Sequence, residues 1–216
     1  MKLDFMSKKN VIIVLIVVIL VGGVMTFFVW NKNKSSEVGV TNIHAELPDK
    51  VDPNVLIKSS DIIIIGTVQD IEAKKVPSQI WGEGTMEIVS DVRLSVERYI
   101  KNSLELTEQE IVVRVSGGQV GNEHTAVLED MPSFSKDEKA LIFIKKVRDG
   151  SLRATGGVFG KYTIGASGIL GTEKEKEFLK RTFGERDFVL NELIGEIEKE
   201  VERQIQIKKE EINQKP

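Results

Sequence analysis

The sequence predicts a mainly β protein: a small antiparallel barrel of the oligonucleotide/oligosaccharide-binding (OB) type, with a β-sandwich as the alternative, behind an N-terminal transmembrane helix and ahead of a C-terminal helical segment. Three observations predict it. Val11 to Trp30 (VIIVLIVVILVGGVMTFFVW) holds no charged residue. Between Asp61 and Ile164, β-branched and aromatic runs alternate with glycine and Asp-Gly turn signals. From Thr172 onward the period lengthens to that of an amphipathic helix.

Val11–Trp30 is the length of apolar helix, about 30 Å at ~1.5 Å per residue, that spans a bilayer's hydrocarbon core. It continues past the ~7–15 apolar residues of a secretory signal and ends in an interfacial aromatic, which favours a retained anchor; secretion after signal cleavage is the alternative. Lys2, Lys8 and Lys9 precede it, and Lys32 and Lys34 follow. This small N-terminal excess of positive charge keeps residues 1–10 in the cytoplasm and places the C-terminal part outside it. Residues 31–51 are polar and lack sustained periodicity, as expected of a tether. The folded unit is expected over 52–166 and the helical segment over 172–212.

Asp52-Pro53 opens a short helical turn, because Asp can cap free N–H groups and Pro fits the first helical position. In DIIIIGTVQDIE (61–72), four consecutive isoleucines indicate a strand buried on both faces, or one that changes face. Gly66 marks a bulge or bend within it. A loop is expected from Lys74 to Gly84. TMEIVSDVRLSVERYI (85–100) alternates, with Met86, Ile88, Val92, Leu94 and Val96 apolar and Ser90 breaking the register. EIVVRVS (110–116) and KALIFIKKV (139–147) supply further strands. Residues 119–138 are too long for a bare loop and are expected to hold some regular structure. Asp149-Gly150 signals a hairpin, and Val158–Ile164 closes the β region. In T-E-K-E, Thr172 and Glu175 match a capping box. The helix breaks near Gly184 and resumes from about residue 187 to 213, with Leu190, Ile194, Ile197 and Val201 forming an apolar stripe.

Together, SSDIIIIGTV (59–68), the paired glycines and KALIFIKK (139–146) resemble the barrel of tissue inhibitors of metalloproteases and of netrin C-terminal modules, over roughly residues 53–165. The resemblance implies the fold. It does not carry inhibition across, because those inhibitors bind the protease zinc through a free N-terminal cysteine and this chain has no cysteine.

Composition narrows the function further. A net charge of −3 disfavours nucleic acid as the main partner. Without cysteine there are no disulfides, thiolate metal sites or thiol nucleophiles, and such usage fits a prokaryotic envelope. The two histidines, His44 and His124, lack the spacing of a zinc site, although Glu123, Glu129 and Asp130 lie near the second. No nucleophile elbow or phosphate-binding loop is present. No catalytic residue, cofactor or metal is therefore assigned. The expected partners are the membrane and either another envelope protein or a second copy. The candidate interaction residues are Trp81, His124 and the stripe Leu190, Ile194, Ile197 and Val201. The competing reading is a hydrolase whose paired carboxylates converge in the barrel mouth or in the 119–138 connection.

Overall fold

In the computed structural model the chain divides into two units, Met1–Thr41 and Asn42–Pro216. The residues described are 51–78, 84–125, 130–166, 168, 171–184 and 189–213, all in the second unit. The expected anchor at 11–30, the tether up to residue 50 and Trp81 lie outside them. No helix among the described residues is long and apolar enough to cross a membrane.

The unit is mainly β and ends in a long helix. Helix α1 (Pro53–Ser59) is capped by Asp52, whose carboxylate accepts from the Asn54 N–H at 2.8 Å. Strands β1 (Ile62–Pro77), β2 (Met86–Asn102) and β3 (Glu110–Ser116) follow. A small hairpin, β4 (Gly118–Val120) and β5 (Glu123–Thr125), precedes β6 (Lys139–Lys146), β7 (Leu152–Ala154) and β8 (Lys161–Thr163). Helices α2 (Glu173–Phe183) and α3 (Leu190–Asn213) complete the chain.

Strand pairing runs β1–β2–β3–β7–β6, with β8 on β6, and β6 also pairs with β1. All these pairings are antiparallel except the contact of β3 with β7 at Val113 and Leu152. The chain of hydrogen-bonded neighbours therefore returns to its start. Side chains alternate across each strand, so the sheet carries two cores. Ile62, Ile64, Val92, Leu94, Ile111, Val113, Ala140, Ile142 and Ile144 fill one face. Ile63, Ile65, Leu141, Phe143 and Tyr162 fill the other, covered by Leu56 and Ile57 of α1, Phe178 and Leu179 of α2, and Leu193, Ile194, Ile197 and Val201 of α3. The four-isoleucine run is buried on both faces because one face packs against side chains of β2, β3 and β6 and the other meets helices.

Gly66 sits at a register shift between β1 and β2, where an added Cβ would lie 2.9 Å from the Ser95 carbonyl oxygen. Ser90, which interrupts the apolar register of β2, is buried and donates to the Gly117 carbonyl at 2.8 Å.

Three expectations need correction. Strand β1 runs on through Lys74 and Lys75 to Pro77, because pairing with β2 continues to Pro77–Met86 and holds a polar stretch extended. Met86 is 53% exposed, since it lies at the open end of that ladder. Within 119–138 the expected regular structure is present, and His124 pairs with Gln119 in the β4–β5 hairpin. The segment 158–164 is not one strand: a 3-10 turn, Gly157–Gly160, precedes β8. Glycine permits that turn, because a Cβ on Gly160 would fall 2.0 Å from the Thr155 carbonyl oxygen.

Candidate functional site

The most developed cluster of functional groups lies where β8, the connection into β6 and the start of α2 meet. In β8, Lys161 and Thr163 are two residues apart and so share a strand face, while Tyr162 points the other way into the helix-covered core. Lys161 is only 4% exposed. Its ammonium donates to Glu138, to Glu175 at 3.0 Å and to the Thr163 hydroxyl at 2.8 Å, which uses all three of its protons. The Phe134 ring centroid lies 5.7 Å from the same nitrogen, within cation–π range.

Glu175 is the third helical residue of α2 and serves two structures at once. One carboxylate oxygen accepts from the Thr172 N–H at 2.7 Å and from the Thr163 N–H at 3.2 Å. The other accepts from Lys161 and lies 3.0 Å from the Thr163 hydroxyl oxygen. The Thr172 hydroxyl in turn accepts from the Glu175 N–H, completing the capping box. Burial pushes the Glu175 carboxyl up, but the Thr172 N–H, the Lys161 charge and the Thr163 N–H outweigh it and hold the group below the usual carboxylate range. Glu138 also has both oxygens engaged. One meets Lys161 and the Thr163 hydroxyl; the other accepts from the Ser135 N–H at 2.9 Å.

Above this cluster is a cleft of about 180 Å³, walled by Met131, Pro132, Ser133 and Ser135 on one side and Thr172, Lys174 and Phe178 on the other. Two carboxylates do converge at its floor, the arrangement a hydrolase would need. Both instead bracket one ammonium. The interactions that lower the Glu175 carboxyl favour its ionised form, the opposite of what the protonated acid of a two-carboxylate hydrolysis requires.

None of the described residues singled out from sequence as interaction candidates lines this cleft. His124 is exposed on the β4–β5 hairpin, where its neighbour Glu123 pairs with Lys75 at 2.6 Å. The Asp130 carbonyl accepts from the Val158 N–H, and Glu129 lies outside the described residues. Among the described residues no group of three His, Asp or Glu is placed to hold a metal ion. Leu190 is half-buried, and Ile194, Ile197 and Val201 are buried against the strands, so this stripe is used within the chain. Beyond it, Ile205 and Ile212 of α3 are 50% and 61% exposed.

Sequence reasoning missed Lys161, Glu138 and Thr163. One signal was available: a lysine and a threonine flanking Tyr162 on one short strand, opposite a capping-box glutamate. No protein-family model matches the chain, and the comparison with curated proteins finds no match.

Proposed function

We propose that this chain is a single-pass membrane protein that holds a small β-barrel outside the cytoplasm and acts by binding another envelope component rather than by catalysis. The observation that carries the reading is the uncharged twenty-residue segment, Val11–Trp30, in a chain whose folded unit has the two carboxylates of its Lys161 cleft committed to an ion pair. The return of strand pairing to β1 supports a barrel of the OB type over a sandwich, in which two sheets would remain separate. In barrels this small the interior is filled by side chains, so a ligand must be met on the surface. The Lys161 cleft is the docking face in this reading, with Ser133 and Lys174 exposed at its edge.

Two measurements test it. Full-length protein should remain in membranes after alkaline washing, and protease added to intact spheroplasts should digest residues 42–216. A photo-crosslinker at Ser133 should capture an envelope protein, and Ser133→Trp, which fills the cleft, should abolish capture of the same species by a crosslinker placed at Lys174. Recovery of the full chain from the soluble fraction, or protection of the folded unit from protease, overturns the topology. The hydrolase reading keeps one observation, the convergence of Glu138 and Glu175. Turnover of a glycan or peptide substrate that disappears in Glu175→Gln would replace binding with catalysis.

A further inference from the structure

Part-way along, β1 changes the side on which it offers its backbone groups. At Val68 the N–H donates to the Glu138 carbonyl and the carbonyl accepts from the Asp137 N–H, both away from β2. The register with β2 then shifts between Val68 and Asp70, which leaves Gln69 as an extra residue. At the far end of the ladder the Ser78 N–H donates to the Thr85 carbonyl, toward β2. Backbone groups alternate along a strand, so Asp70, Glu72, Lys74 and Val76 bond β2 while Ile71, Ala73 and Lys75 turn their N–H and C=O groups outward. Among the described residues no strand takes these up: the β6 pairing ends at Thr67, and β4 and β5 pair with each other. The β4 backbone at Gly118 approaches the Ala73 methyl, on the face of the strand rather than at its edge.

Lysines usually guard such an edge with their charge. Here Lys74 is paired with Asp91 at 2.5 Å and Lys75 with Glu123 at 2.6 Å. We propose that this edge pairs with the same edge of a second copy, antiparallel about a two-fold axis at Ala73, so that two sheets become one. Such a contact must be self-complementary, and the sequence of the edge is. Ala73 faces the partner's Ala73 and Ile71 faces the partner's Lys75, each pair exchanging two N–H···O=C bonds, roughly six in all. Glu72 lies opposite the partner's Lys74, and Lys74 opposite the partner's Glu72, two cross-strand pairs of opposite charge. Lys74 is 43% exposed and has protons left for a second carboxylate. The stem of Lys75 covers the partner's Ile71, which is 37% exposed in the single chain. Centring on Ile71 instead would set Glu72 against the partner's Asp70. Centring on Lys75 would bring in Pro77, which has no N–H. Charge and backbone therefore select the same register.

The chain has no cysteine, so two full-length versions, one carrying Glu72→Cys and the other Lys74→Cys, can be co-expressed and oxidised without background. In this register the two positions are a non-hydrogen-bonded pair, about 4.5 Å between Cα atoms, within disulfide reach, and the remaining Lys74 and Glu72 still meet. The mixed disulfide should exceed the dimer formed by Glu72→Cys alone by about tenfold or more, because position 72 does not face itself. Ile71→Pro removes an outward N–H and leaves the β1–β2 ladder its donors; in both chains it should lower the mixed disulfide about tenfold. Should Ile71→Pro not fold, adding Glu72→Lys to the Lys74→Cys chain sets a lysine against the other chain's Lys74 and should lower the yield severalfold. No disulfide in the mixture, an equal yield from Glu72→Cys alone, or a yield unchanged by folded Ile71→Pro or by Glu72→Lys overturns the pairing. The edge is separate from the Lys161 cleft, so self-pairing and capture at Ser133 can each fail alone.

Discussion

The two halves of β1 share a strand and a partner but are stabilised by different physics. From Ile62 to Val68 the strand lies between β2 and β6, and Ile62, Ile63 and Ile64 are fully buried. From Gln69 to Pro77 its ladder is with β2, and Ile71 is 37% exposed. That second half depends more on polar contacts. Asp91 of β2 accepts from Arg114 of β3 at 2.8 Å and pairs with Lys74 of β1 at 2.5 Å, linking three strands. Over it lies the β4 backbone, where a Cβ on Gly118 would come within 2.6 Å of the Ser90 hydroxyl and 3.0 Å of the Ala73 methyl. Burial on two faces makes the first half depend on side-chain volume; the second half depends on charge and on the absence of side chains.

Substitutions along the strand should follow that difference. The largest effect is expected at Ile64→Ala, which opens a cavity opposite Ile142; denaturant unfolding of the folded unit should show a loss of about 2–5 kcal/mol. Gly66→Ala should lose roughly 1–3 kcal/mol, because the new methyl meets a backbone carbonyl that cannot move without shifting the ladder. A smaller loss at Ile64→Ala than at Gly66→Ala would mean that backbone register, rather than packing, limits the first half. Asp91→Asn comes next, at about 1 kcal/mol or more at pH 7, since it leaves Arg114 and Lys74 without their anion. Its cost should also depend on pH. Burial raises the Asp91 carboxyl, but hydrogen bonds from Arg114 and Lys74 outweigh burial and depress it below 3.8. A depressed folded value stabilises above 3.8 and is lost as pH falls through the lower folded value, so the wild-type advantage over Asp91→Asn should vanish in that acid window. The smallest effect is expected at Ile71→Ala, within about 0.5 kcal/mol, as at an ordinary surface position. A cost there equal to that at Ile64 would erase the distinction between the halves.

Much of the fold was legible in local chemistry. Asp52-Pro53 and Thr172–Glu175 signal helix starts through groups a few residues apart, and the structure places α1 and α2 on them. Asp149-Gly150 turns the chain between β6 and β7, with Gly150 at φ 83° and Asp149 accepting from the Ser151 N–H at 2.7 Å. The candidate cleft was not legible. Glu138, Lys161 and Glu175 come from three elements, and each resembles the many other charged residues of a chain with 30 basic and 33 acidic side chains. Only burial distinguishes them, and burial at Lys161 depends on α2 folding back across β8. The stripe on α3 was visible as a period, but its role was not: a helix turns an apolar face toward whatever adjoins it, and here the strands do.

By itself the sequence determined the local decisions: where helices start, where the chain turns, which strand positions are apolar, and that no thiol chemistry is available. Those depend on side-chain shape and on hydrogen bonds between near neighbours. The tertiary structure decided that β6 returns to β1, that Lys74 and Lys75 stay extended, that Ser90 is buried under a glycine, and that one lysine bridges two glutamates 37 residues apart in the chain. These depend on which distant groups share a small volume from which water is excluded, and no local pattern encodes that volume.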